Sequence, residues 1–252
     1  MNESRLRFAR ERVSERGSAL VYILIAIALL AALTVAFMDS SGQQTQSQNT
    51  YKTVSEIQSQ VDFIRSGIQE CVLAYPTGDQ YTLAPNPVTQ VNNPYPLIPN
   101  NAYFAACVAK PAAADDLVKR LRCPGNPGDM APSAAAEACH VDIFSSSTGK
   151  FLPPAPPLFS DWHYYAGDDG VFFWTVTTKS DAYIQTALAK LDAAYSVCES
   201  DKIDATAGQV DMDSDTPDKA ACAAGSVCFR VWMKTKPTAV FPSKAGIPCP
   251  PP

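Results

Sequence analysis

The stretch from Ser18 to Met38, SALVYILIAIALLAALTVAFM, contains no charge, no glycine and no proline. No other feature constrains the chain as tightly. A helix needs about 20 residues to cross the hydrocarbon of a bilayer, and a helix that is apolar all round must be covered by lipid or by protein. Arg5, Arg7, Arg10, Arg12 and Arg16 precede the run, and the next arginine is Arg65. Cytoplasmic flanks keep the positive charge, so the bulk of the chain is expected on the far side of the membrane. A cleaved secretory signal has a shorter apolar core, about 7–15 residues, followed by a small-x-small site. An uncleaved signal anchor is the plain alternative.

The helical pattern continues past the apolar run. After a polar stretch around Ser40–Asn49, apolar residues return at Val54, Ile57, Val61, Ile64, Ile68 and Cys71. Their spacing alternates between three and four, which is one face of a helix. Pro76 ends the pattern, because proline lacks the amide hydrogen and clashes with the preceding turn. One helix is therefore expected from Ser18 to Ala74: residues 18–38 as its membrane-spanning part, 39–75 as an amphipathic stalk, and Gly42 as a weak point between them.

Arg16-Gly17, set directly before the apolar run, resembles the processing site of type IV prepilins and type II secretion pseudopilins. The resemblance covers about the first sixty residues. It implies that residues 1–17 are a basic leader, that a prepilin peptidase cuts after Gly17, and that Ser18 becomes a methylated N-terminus. It also implies that the retained helix packs against other pilin-like subunits in a filament assembled from the inner membrane. The protein would then sit in that membrane with a periplasmic head before reaching an extracellular filament or the cell surface. Two positions depart from the family. Ser18 stands where phenylalanine or methionine is usual, and Tyr22 stands where a glutamate is usual. Subunits of the family that lack that glutamate are typically large minor ones at the filament tip.

Eight cysteines, Cys71, Cys107, Cys123, Cys139, Cys198, Cys222, Cys228 and Cys249, all follow the apolar run. An even set on the exported side reads as up to four disulfides in an oxidising compartment. No CxxC pair suggests zinc. A Cys123–Cys139 bridge around the PGNPGDMAPSAAAEA loop is expected, with the other pairings open. The net charge is −5; residues 1–17 contribute +2, from five arginines and three glutamates, and the remainder carries −7. An acidic head is a poor partner for a phosphate backbone, so no nucleic acid is expected.

The region 76–252 is expected to be an α+β head, disulfide-rich and with antiparallel strands, on which the long N-terminal helix packs. Residues 75–104 read as loop. Pro111–Leu121 reads as a short helix with proline at its first position. The FLPPAPPLF segment, Phe151–Phe159, reads as polyproline II laid on the head as a stiff connector. Trp162–Ala166 and Val171–Thr178 flank GDDG and read as a hairpin. Ser180 offers an N-cap to a helix whose apolar stripe is Ile184, Leu188, Leu191, Tyr195 and Cys198. Ser226–Thr235 alternates as a half-buried strand.

Candidate chemistry is sparse. Asp211, Asp213 and Asp215 alternate in VDMDSDTPD and Asp218 follows, a carboxylate pattern that can converge on Ca²⁺. Thr216 stands where an EF-hand loop needs glycine and Cys222 where it needs glutamate, so the loop is not an EF-hand; a solvated acidic turn is the other reading. His163 lies two residues from Asp161, but no G-x-S-x-G accompanies them, so this histidine and His140 read as structural. No phosphate-binding loop or dinucleotide motif is present, and no catalytic residue is assigned. The expectation is a structural filament subunit, minor or at the tip, with a membrane-anchored binding module that never polymerises as the alternative.

Overall fold

The structure is a computed structural model. It describes residues 15–78, 93–98, 116–124, 142–146, 148–167, 169–196, 198–213, 215 and 219–236, with the side chains of 15–19 and 36–43 excepted. The chain divides into two compact units, residues 1–49 and 50–252.

Helix α1 runs from Glu15 to Ala74, matching the expected end. Tyr75 N–H closes the last turn on Cys71 O at 3.0 Å, and Gly78, at φ +72°, turns the chain away after Pro76. In the first unit every described side chain from 20 to 35 is exposed. Thr34 satisfies its hydroxyl internally, donating to Leu30 O and Ala31 O at 2.8 Å. Among the described residues no helix is long and apolar enough to cross a membrane; those side chains cover only part of Ser18–Met38.

The second unit is α+β. Strands β1 (His163–Gly167), β2 (Gly170–Thr177), β3 (Ser200–Ala205) and β6 (Ser226–Thr235) form an antiparallel sheet in the order β1-β2-β6-β3, and β4 (Val210–Asp211) pairs with β5 (Ala221–Cys222). Helix α2 spans Ala182–Ala194. One face of the sheet, with Phe173, Val227, Phe229 and Val231, packs on Ile57, Val61, Ile64 and Ile68 of α1 and on Ile184, Leu188 and Leu191 of α2. Of the predicted stripes, Ile57, Val61, Ile64, Ile68 and Cys71 of α1 and Ile184, Leu188 and Leu191 of α2 are buried, Val54 is half-buried, and α2 stops at Ala194, before Tyr195 and Cys198, which are also half-buried. A polar residue also enters this layer: Gln60 accepts from Trp162 Nε1 at 2.7 Å and donates to Pro154 O at 2.6 Å, so neither group is buried unsatisfied.

The expected hairpin forms, with His163 opposite Trp174 and Gly167 opposite Gly170. Gly170 has φ +132°, and a Cβ there would lie 2.1 Å from Lys234 O of the neighbouring strand, so only glycine fits.

Several expectations are corrected. The segment read as a helix over Pro111–Leu121 is, in its described part, a bridge at Leu117 and a single 3₁₀ turn, Val118–Arg120. Val118 N–H donates to Trp162 O at 2.8 Å and Tyr164 N–H to Asp116 O at 2.7 Å, so the edge of β1 claims the backbone a helix would need. The N-cap of α2 is Asp181, not Ser180, and it caps without a side-chain bond. Strand β6 is not half-buried: its residues are buried on both faces from Ser226 to Trp232. The second face is closed by the chain between β3 and β6, which carries β4 and β5 and seats Met212 and Ala220 against Phe172, Trp174, Cys228 and Trp232.

Phe151–Phe159 lies on the head as expected of a stiff connector. Leu152 and Phe159 pack on the helix-side core, and Thr177 Oγ1 donates to Leu158 O at 2.8 Å. Pro156–Phe159 is a turn closed by Phe159 N–H to Pro156 O, with Leu158 at φ +75°, a position where glycine is usual.

Candidate functional site

Among the described residues, a set of buried charged side chains lies under the chain that closes the second sheet face. Arg230 and Asp201 face each other across β6 and β3. Both are fully buried, and the guanidinium donates from Nε and Nη2 to the two carboxylate oxygens at 2.8 Å each. This fork-to-fork geometry is the strong form of the pair. The guanidinium also sits over the rings of Trp232 and Phe172, at 4.6 and 4.9 Å, and donates from Nη1 to Met212 O. A buried ion pair is thereby hydrogen-bonded to the backbone of the acidic loop.

The loop itself is held by internal donors. Asp211 Oδ1 accepts from Asp213 N–H at 3.0 Å, and Asp213 Oδ1 from Asp215 N–H at 2.8 Å. Asp213 Oδ2 takes the amides of Lys219 and Ala220. Asp215 Oδ2 accepts from Lys219 Nζ at 2.7 Å and from Tyr165 Oη at 3.0 Å. Burial pushes the Asp213 carboxyl up, against the pull of the amides of Asp215 and Ala220. The Lys219 hydrogen bond holds Asp215 below the usual carboxylate range in spite of desolvation. Tyr165 is raised by burial first and by its bond to Asp215 second.

The acidic residues singled out from sequence therefore come together in part. Asp213 and Asp215 are buried and Asp211 is exposed; Asp218 lies outside the described residues. Among the described residues no group of three histidines, cysteines or acids is placed to hold a metal ion.

Among the described residues no cysteine is free. Cys222 and Cys228 are bonded, Cα–Cα 6.0 Å, and staple the return into β6. Cys123 is bonded to Cys71, Cα–Cα 5.7 Å, not to Cys139. The reason is tertiary: Arg122 is paired with Leu97 and Asp142, which carries the next residue to the end of α1. Cys198 is disulfide-bonded, while Cys107, Cys139 and Cys249 lie outside the described residues. Gly17 and Ser18 lie in the first turn of α1.

His163 Nδ1 meets Asp116 Oδ1 at 3.0 Å and stacks on Trp174, whereas Asp161 pairs with Lys119 at 2.7 Å. The sequence neighbour is thus not the partner, and the contacts of this histidine are those of a structural residue at the β1 edge. His140 lies outside the described residues. Two clefts are described, of about 240 and 180 Å³, both below the usual range for small-molecule sites of about 300–1,000 Å³.

Sequence reasoning missed Asp201, Lys219, Tyr165 and Asp116. A signal existed for the first. Arg230 alternates with Cys228 and Trp232 on one strand face, and an arginine among such residues needs a buried carboxylate once the face is covered. No family profile, curated protein or solved structure matches this chain.

Proposed function

We propose that the chain is a structural subunit, pilin-like or pseudopilin-like, that is anchored in a bacterial inner membrane by Ser18–Met38 and assembled through α1 into a filament. One observation carries the reading. Leu20, Val21, Ile23, Leu24, Ile25, Ile27, Leu29, Leu30, Leu33 and Val35 of α1 are all at least half exposed. Covering each such side chain is worth about 1.5–3 kcal/mol, so this part of the helix requires an apolar surrounding. Membrane before assembly and neighbouring helices after it would supply that. Arg16-Gly17 before the run and the acidic head, whose described cysteines are all oxidised, support the same reading. Calcium enters it as a competitor: a cation at Asp213 and Asp215 has to displace Lys219.

Tyr22 favours a second reading, an anchored binding module that never polymerises, because it takes the place of the carboxylate that pairs subunits in the resembled family. N-terminal sequencing of the membrane-extracted protein separates the two. Maturation gives a chain starting at Ser18, and Gly17→Trp blocks the cut. An intact Met1 on the wild-type protein would overturn the filament reading and leave the anchored module.

A further inference from the structure

We propose that the outer edge of β3 is a self-complementary docking strip for a second copy of this chain. Among the described residues β3 is an end strand, in the order β1-β2-β6-β3. The other end strand, β1, is met by Leu117, which bridges to His163. An edge strand presents a row of peptide groups with which another strand can pair.

The ladder to β6 fixes which groups those are. Ser200 stands opposite Val231, and Trp232 N–H donates to Glu199 O at 2.9 Å, so Glu199 and Trp232 form a hydrogen-bonded pair. Hydrogen-bonded and non-hydrogen-bonded pairs alternate along an antiparallel ladder. Asp201, Ile203 and Ala205 therefore turn their peptide groups towards β6, while Ser200, Lys202 and Asp204 turn theirs outwards. Lys202 is half-buried, and its ammonium makes no hydrogen bond or ion pair among the described residues. Asp204 is exposed, and Thr206 donates to its Oδ1 from the amide at 3.0 Å and from Oγ1 at 2.6 Å, which holds the carboxylate in place.

Charge selects the occupant and its register. An antiparallel partner must set outward-facing residues opposite each other. Two copies of β3 centred on Lys202, or on Asp204, would set like charges face to face, which is destabilising. Centred on Ile203, they set Lys202 opposite the second copy's Asp204 and Asp204 opposite its Lys202. Each copy then gives two peptide hydrogen bonds and accepts two, and both opposite-charge pairs form at once. The contact is isologous, the same strip on both copies. It stands apart from the filament reading, which runs through α1.

The test is sedimentation equilibrium of the full chain in density-matched detergent micelles. A monomer–dimer equilibrium is expected for the wild type. Lys202→Glu and Asp204→Lys each turn both opposite-charge contacts into like-charge ones and should weaken the dimer about tenfold. Mixed in equal amounts, the two variants should pair with each other, because the Lys202→Glu chain offers two acids to the two lysines of the Asp204→Lys chain. Association through α1 ignores both reversals. Single variants that dimerise as tightly as the wild type, a mixture that pairs no better than its parts, or a wild type that stays monomeric each overturn the proposal.

Discussion

The two faces of the head's sheet are closed by opposite means. On one, α1 and α2 lay down apolar stripes, Ile57, Ile64 and Ile68 from the first and Ile184 and Leu188 from the second. On the other, the chain between β3 and β6 closes over aromatic rings and the Asp201–Arg230 ion pair of the sheet with hydrogen-bonded carboxylates and a disulfide to β6. Apolar packing tolerates some imperfection, since a lost methylene costs a bounded amount. A buried charge network does not, because removing one member leaves another without its partner. The loop face should therefore be the more fragile to single changes and the more readily rescued by paired ones.

Arg230→Met is the largest expected effect. It leaves Asp201 buried and uncompensated and should cost about 3–5 kcal/mol in denaturant unfolding of the head. Adding Asp201→Leu should recover much of that loss. Ile64→Ala on the helix face should cost about 2–5 kcal/mol with no comparable single-site rescue. If the double variant is no better than Arg230→Met alone, the contrast between the faces fails.

The disulfides sharpen the comparison in the opposite direction. Cys71–Cys123 closes a loop with a sequence separation of 52, and Cys222–Cys228 one of 6. Through the unfolded state the first is worth about 4 kcal/mol and the second about 2 kcal/mol. Serine pairs at each, compared by melting, should rank in that order. The reverse ranking would mean that the short bridge acts mainly by holding the loop face shut.

The smallest effect belongs to Lys219→Met, about 1 kcal/mol for a pair whose lysine is exposed. Its pH dependence has a definite sign. Lys219 depresses the Asp215 carboxyl, so the contribution is complete above the unfolded carboxylate range, near about 4. It disappears as pH falls through the lower folded value. Wild type and variant should differ at pH 7 and converge on acidification. Millimolar calcium should shift the melting temperature of the variant more than that of wild type, since no lysine then competes for Asp215; equal shifts would detach the cation from these acids.

What was legible in the sequence follows the same division. The stripe Ile57–Cys71, the hairpin around Gly170, α2 and β6 each declare themselves in a local period or turn. The loop face has no such period. Strands β4 and β5 are two residues each, and Asp201 meets Arg230 only because β3 pairs with β6. The same limit explains Cys123: a local loop suggested Cys139, while the bridges at Arg122 delivered it to Cys71. Leu158 was equally hidden, since a leucine at positive φ is set by Thr177 and the preceding prolines and not by its own preference.

The order β1-β2-β6-β3 also governs when the head can exist. Among the described strands β6, one of the two inner ones, is the last made, and β2 and β3 have no partner between them until Ser226–Thr235 arrives. At about 5–20 residues per second of synthesis, some 50 residues separate the end of β2 from the start of β6, a delay of several seconds. Through that interval the aromatic rows of β2 are without their neighbour. A chain emerging from one end therefore cannot fold its head piecemeal. The sheet closes in one late step, and only then do Cys222 and Cys228 stand opposite each other.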